Sequence, residues 1–220
     1  MDAERTKRDQ APLSRDRVML AAIELADSSG LEALTMRRLG RALGVEAMSL
    51  YNHVANKDDL LDGIVDIVLG EVDLQGSDGE WRTTLRTIGM STHEVLRRHP
   101  WAAERMLSRT IPARFRYMEA VLGSLRRGGL TPAQTDHAYH ALDSYIAGFT
   151  LWQSGLRIDD DTLPALGTAL VERFADAGMP YMVEHIHEHL REPDPDDEGS
   201  FAFGLDLILG GLDRLIRGMP

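Results

Sequence analysis

The 220-residue chain contains no cysteine. That rules out a disulfide framework, thiolate catalysis and cysteine-bound zinc. Aromatic residues amount to only 6%, and no stretch approaches the roughly 20 apolar residues a membrane span needs. Residues 1–10 are polar and mixed in charge, without the apolar run of a signal peptide. A cytoplasmic protein with no membrane contact is expected. Sequence alternating at period two, the mark of strands, is almost absent. So are the enzyme motifs: there is no Gly-x-Ser-x-Gly, no His-Glu-x-x-His, no phosphate-cradling glycine loop and no dinucleotide fingerprint. Neither a catalytic residue nor a cofactor is expected.

What is present has helical spacing almost throughout, which makes the fold class all-α. With 43% hydrophobic residues, the chain can bury a sizeable core. Ser14 is placed to cap a first helix whose Val18, Ala22 and Leu25 share a face and which ends near Ser28-Ser29-Gly30. Thr35 caps a second, with Leu39 and Leu43 four apart, and Gly44 offers the left-handed backbone that ends a helix and starts a turn. A third, over 46–53, begins at once. Two short helices joined by so tight a turn form a helix-turn-helix, the unit that presents one helix to the DNA major groove. Its outward residues Ala47, Met48, Ser49, Asn52 and His53 are light in charge, while Leu50 is spaced to pack back. So short a helix has little reason to expose Met48 unless something meets it.

Asn56 caps the next helix, expected over 57–73, with Asp58 and Asp59 favourably placed against the helix dipole and Leu61, Ile64, Val65, Val68 and Val72 as its buried stripe. Gly76-Ser77-Asp78-Gly79 then breaks the chain. The expected organisation is a disordered arm at 1–13, a DNA-binding domain with its connecting helix at 14–75, and a larger helical ligand-binding and dimerisation domain at 76–220. Arg5, Lys7 and Arg8 alternate with Asp2, Glu4 and Asp9 in the arm, which favours disorder over groove binding. Of the 24 basic and 35 acidic residues, nine and ten fall within 1–60, so nearly all of the net charge of -11 lies in the rest. That distribution suits a phosphate-facing end on an acidic body, or simply an ordinary acidic surface.

Beyond the break, helices are expected at about 80–98, 101–107 and 112–127. Thr131-Pro132-Ala133-Gln134 forms a capping box that opens a long one. Ala138, Leu142, Tyr145, Phe149 and Trp152 recur at spacings of four and three, as do Phe201, Leu205, Ile208, Leu212 and Leu215 in the last helix. That last helix also keeps Gly204, Gly210 and Gly211, which suggests close approach of another backbone. The pattern fits two helices per subunit in a four-helix interface of a homodimer. Two internal core helices of a monomer would show the same spacing.

Gly30-Leu31-Glu32-Ala33-Leu34-Thr35, Leu43-Gly44-Val45, Leu50-Tyr51-Asn52-His53-Val54 and Asn56-Lys57 resemble, in order and spacing, the N-terminal domain of the TetR family of transcriptional regulators. Glu80-Trp81, Met90-Ser91 and Gly148-Phe149-Thr150-Leu151 more weakly resemble the tetracycline-repressor-like regulatory domain. The resemblance implies a homodimer that binds a palindromic double-stranded DNA operator and is released by a small-molecule effector. Arg37 is placed to reach a base edge or phosphate, and Arg reads guanine bidentately; Ala47 and Met48 can offer only apolar contact, which suits thymine methyl groups. Tyr51, His53 and Lys57 resemble the family's phosphate-contacting positions, and Thr35 adds a hydroxyl and N–H at a helix N-terminus.

For the regulatory half the resemblance implies a cavity. Its candidates are Ile88, Trp101, Met106, Met118, Val121, Tyr139 and Trp152, with Thr92, His93 and His140 as polar handles. Glu71-Val72-Asp73 stands where the drug repressors place a histidine, so tetracycline is not the expected effector and a more apolar molecule is. Of His185, His187 and His189, the first and last lie at i and i+4 and could chelate a metal, but two imidazoles without a third ligand or second shell read as an exposed face, not a metal site. The function expected is a ligand-responsive repressor in which the helix at 57–73 couples the two halves. The alternative is an all-α ligand-binding or protein-interaction dimer without operator binding.

Overall fold

The computed structural model describes residues 12–75, 79–108, 111–155, 163–191 and 198–218, and all of their regular structure is helical. Much of the arm and residues 76–78 of the expected boundary lie outside the described residues. Helix α1 (Arg15–Ser29) starts where the Ser14 hydroxyl accepts from Arg17 N–H at 3.2 Å and stops at Gly30, whose φ of 79° few other residues adopt. A single turn of 3₁₀ helix, Leu31–Ala33, leads to α2 (Met36–Leu43). The Thr35 hydroxyl caps α2 through Arg38 N–H at 3.2 Å, and Gly44, at φ 69°, ends it.

Helix α3 is only Ala47–Leu50, shorter than the 46–53 expected. The chain keeps winding, but Tyr51, Asn52 and His53 N–H groups donate three residues back, to Met48, Ser49 and Leu50, so the segment tightens into 3₁₀-type turns. Its close start is possible because Gly40 of α2 faces it: a Cβ there would lie 2.9 Å from the Val45 carbonyl. Helix α4 (Lys57–Leu69) is capped by Asn56, which accepts from Asp59 N–H at 2.8 Å. It ends four residues before the expected 73, although Val72 still reaches the core, so the apolar pattern outruns the helical backbone.

The remaining helices are α5 (Trp81–Arg98), α6 (Pro100–Ser108), α7 (Pro112–Arg127), α8 (Pro132–Gly155), α9 (Leu163–Asp176), α10 (Pro180–Arg191) and α11 (Glu198–Ile216). The box opening α8 is reciprocal: Thr131 N–H donates to Gln134 at 2.9 Å, and Gln134 N–H to the Thr131 hydroxyl at 3.3 Å. Helix α5 packs on α6, α7, α8 and α11, while α4 touches α1 on one side and α5, α6 and α7 on the other. One apolar cluster runs through all of these, from Val18 to Leu209. Helices α9 and α10 pack on each other, with Tyr181 83% exposed.

The four-three rows expected at a subunit interface turn mostly inward. Ala138, Leu142, Phe201 and Leu205 are buried in the protomer's own core, and Tyr145 and Phe149 pack against it. Gly204 explains one of the three glycines: the Tyr145 ring lies so close that no Cβ would fit, and its hydroxyl donates to the Phe201 carbonyl at 2.8 Å. Gly211 faces open space. Trp152 and Leu215, the last members of the two expected rows, are exposed, as are Leu151 of α8 and Phe203 and Leu207 of α11.

Candidate nucleic-acid interface and effector site

Three buried side chains, Leu39, Leu50 and Val54, anchor this unit in the apolar cluster, with α2 packed on α1 and on α3. With these anchors inside, the residues between them must face out. Met48 is 74% exposed, Tyr51 is exposed, and so are Thr35, Arg37, Asn52 and Lys57; Ala47, Ser49 and His53 are half-buried. The nine candidate contacts lie on or beside α2, α3 and the first turn of α4, six of them exposed and three half-buried. Arg37 has no hydrogen-bonding or ionic partner among the described residues, whereas Arg38 beside it reaches the Ser29 hydroxyl at 3.3 Å.

An ion pair locks this unit from the side. Arg15 of α1 grips Asp59 of α4 through two bonds of 3.1 and 2.9 Å and donates a third to the His53 carbonyl at 2.9 Å, at the end of the turns that follow α3. Asp59 also accepts from Ala55 N–H at 2.8 Å. The Arg15 hydrogen bond, aided by Ala55, holds the Asp59 carboxyl below its usual pKa. Neither Arg15 nor Asp59 was among the expected site residues, because a spacing of 44 residues leaves no local signal.

The two halves meet at a second polar joint. One oxygen of Asp27, on α1, lies 2.8 Å from His99 Nδ1 and accepts from the Trp101 indole N–H at 2.7 Å. Glu71, just past α4, pairs with Arg98 at 2.9 Å. Asp66 of α4 accepts from Ala113 N–H at 2.5 Å, filling an orphan donor in the first turn of α7. Trp101, expected in the cavity, thus turns its polar atom towards α1.

Other cavity candidates divide sharply. Ile88, Thr92, Met106, Val121 and Tyr139 are buried, Met118 is half-buried, and Trp152 is exposed. Of the polar handles, Thr92 and His93 are buried and His140 is exposed. Thr92 donates to its own helix at Ile88, His93 stacks on Phe201 at 3.9 Å with Nδ1 3.0 Å from the Thr150 hydroxyl, and His140 points to solvent near Asp136. A helical threonine hydroxyl can share the carbonyl one turn back with the backbone N–H, and an imidazole among aromatics stacks. His185 and His187 are exposed on α10; the His189 side chain lies outside the described residues.

The residues missed are Arg114 and Asp143. They form a bidentate pair at 2.9 and 2.6 Å between α7 and α8, and Arg114 also donates to the Tyr139 hydroxyl at 2.5 Å. Burial works against the Arg114 charge, but the Asp143 bonds outweigh it and raise its pKa above the usual arginine value. Burial likewise pushes Tyr139 up to about 12 and Tyr117 higher still, so both phenols stay protonated.

Residues 18–64 match the model of the tetR family of bacterial regulatory proteins, and residues 75–216 that of the tetracyclin repressor-like C-terminal domain. Over 215 residues the chain is 34% identical to the HTH-type transcriptional repressor DrrR1 of Streptomyces coeruleorubidus, covering 93% of this chain and 78% of that protein. The structure of the Streptomyces coelicolor TetR family protein ActR in complex with actinorhodin superposes with a TM-score of 0.73 at 30% identity, over 94% of this chain and 99% of that one. BioQ bound to its double-stranded DNA operator gives 0.64 at 25% identity, over 92% and 99%. The chain belongs to the TetR family of bacterial regulatory proteins.

Proposed function

We propose that this protein is a cytoplasmic transcriptional repressor, with no enzymatic activity, that binds a palindromic operator as a homodimer and leaves it when a small, largely apolar molecule enters the helical body. The observation that carries this reading is the outer face of the short-helix unit: an exposed Met48 beside Arg37, Tyr51, Asn52 and Lys57, all fixed in place by fully buried Leu39 and Leu50. In this reading Arg37, Ala47, Met48, Ser49 and Asn52 meet bases, and Thr35, Tyr51, His53 and Lys57 meet phosphates. The matching relatives support the sign and a small-molecule trigger: one is named a repressor, one was solved with actinorhodin and one on operator DNA.

Exposed large apolar side chains on α8 and α11, Leu151, Trp152, Phe203 and Leu207, support dimerisation, since a second copy could cover them. Duplicating the short-helix unit across a two-fold axis lets it read two half-sites. Helix α4 supplies the coupling, being about 20 Å long for its 13 residues and bonded to α1 at Asp59 and to α7 at Asp66.

A salt-titrated gel-shift assay on the DNA upstream of the protein's own gene tests this. Tight binding that weakens steeply with salt is expected. Salt-insensitive or absent binding would favour an all-α ligand-binding dimer without operator contact.

A further inference from the structure

With no cysteine in the chain, its sulfur chemistry falls to methionine. Of the methionines among the described residues, Met19 and Met106 are 2% and 1% exposed, and Met36, Met90 and Met118 are half-buried. Three lie open: Met48 at 74%, Met179 at 47% and Met182 at 41%. The last two sit at the start of α10, which packs on α9. Met48 belongs to the short-helix unit, in the midst of the residues assigned to operator contact. It has no route inward, because α3 is a single turn whose phase is set by the fully buried Leu50, and a rotation that hid Met48 would expose that leucine.

A thioether has no proton to lose, so access of the oxidant governs which methionine reacts. With hydrogen peroxide the sulfur takes one oxygen: an S–O bond forms as the O–O bond breaks, and the transferred oxygen passes its proton to the departing hydroxide. Sulfur is oxidised by two electrons, the peroxide is reduced, and water leaves. The product is a sulfoxide, which replaces a flexible apolar group with a polar, chiral one. Met48 as a thioether suits the thymine methyls of a major groove. As a sulfoxide it brings to the same contact an acceptor stripped of water and left unpaired, which is unfavourable.

We propose that Met48 is a redox-sensitive modification site, at which a peroxide converts the thioether of the DNA-reading surface to the sulfoxide and so weakens operator binding. This rests on the operator-binding reading above and adds a control on it that needs no effector. Bound operator covers the sulfur, so modification takes the free protein and keeps it free. The change is reversible, since one reductase for each sulfoxide epimer restores the thioether. Because the side chain lies outside the core, the fold survives the modification.

The full chain is treated with hydrogen peroxide for increasing times, and each sample is divided between a gel shift on operator DNA and peptide mass spectrometry. Affinity is expected to fall by at least about tenfold, in step with sulfoxide at Met48, while the melting temperature stays the same. The two sulfoxide reductases together should restore binding, and operator added before the peroxide should slow oxidation at Met48. Met48→Leu, which keeps an apolar side chain of similar volume, should show no change on treatment, whatever its starting affinity. Met179→Leu combined with Met182→Leu should remain as sensitive as wild type. The proposal is overturned if affinity survives full conversion of Met48, if Met48→Leu loses affinity under peroxide as wild type does, if the reductases fail to restore binding, or if operator leaves the oxidation of Met48 as fast as before. The gel shift before peroxide is scored separately: no binding there removes the operator reading and this proposal with it, whereas binding that peroxide leaves intact removes the proposal alone.

Discussion

Up to Val72, every buried side chain of the described residues is apolar; beyond Trp81 the interior takes in Thr84, Thr92, His93, His99, Arg114, Ser124, Thr135, Asp143 and Thr150. The short-helix unit keeps its polar groups outside, where Arg37 and Lys57 remain available, and fills its inside with residues such as Val18, Leu39 and Leu50 that have one good way to pack. The body behind it hides polar groups, several of them bonded between helices, such as Arg114 to Asp143 and His93 to Thr150. A dry apolar interior suits a rigid part that presents a surface. A polar interior suits a part that must change when a molecule arrives.

The sharpest way to break this contrast is to remove one charge. Asp143→Ala leaves Arg114 buried and unpaired, with an expected loss of about 4 kcal/mol in chemical denaturation. Replacing both partners at once, Arg114→Met with Asp143→Leu, should recover most of it; failure to recover would mean the pair is structural and not a device for response. Next comes Leu50→Ala, expected to cost about 3 kcal/mol by emptying the centre of the short-helix unit. A loss under about 1 kcal/mol would show that this interior is not tightly packed.

Arg37→Ala should weaken operator binding by about 1–3 kcal/mol while sedimentation shows the same dimer; unchanged affinity would remove Arg37 from the interface. The smallest effect is that of pH. Asp59 has a lowered pKa in the folded protein, so its pairing contributes fully above the ordinary aspartate value of about 3.9 and is lost as pH falls through the lower folded value. The pair is partly exposed, so a modest effect is expected. Acid titration of wild type against Asp59→Asn should show the extra acid sensitivity only in wild type.

The helix starts were legible because their chemistry spans three residues: Ser14 to Arg17, Thr35 to Arg38, Asn56 to Asp59, Thr131 to Gln134. Exposure of Met48 followed from the phase of Leu50. Helix ends were harder, as at Leu50 and Leu69, where apolar spacing continues after the backbone has left the α-helix. Arg114 and Asp143 did carry a signal. Each falls in phase with a buried stripe, Arg114 with Tyr117, Val121 and Leu125, and Asp143 with Tyr139 and Ile146. A charge in such a place needs a partner on a facing helix, and no local spacing says which helix that is.

Caps, glycine stops and the phase of leucines act within one or two turns, so they make the helices, the tight turn and the outward face of the reading unit follow from residue order alone. Pairings across the molecule come from packing. Arg15 meets Asp59, Asp27 meets Trp101, Asp66 meets Ala113 and Arg114 meets Asp143 only because helices distant in the chain come to lie side by side. Two of those contacts, Asp27–Trp101 and Asp66–Ala113, join the N-terminal helices to the body behind them, and all four exist only in the assembled fold.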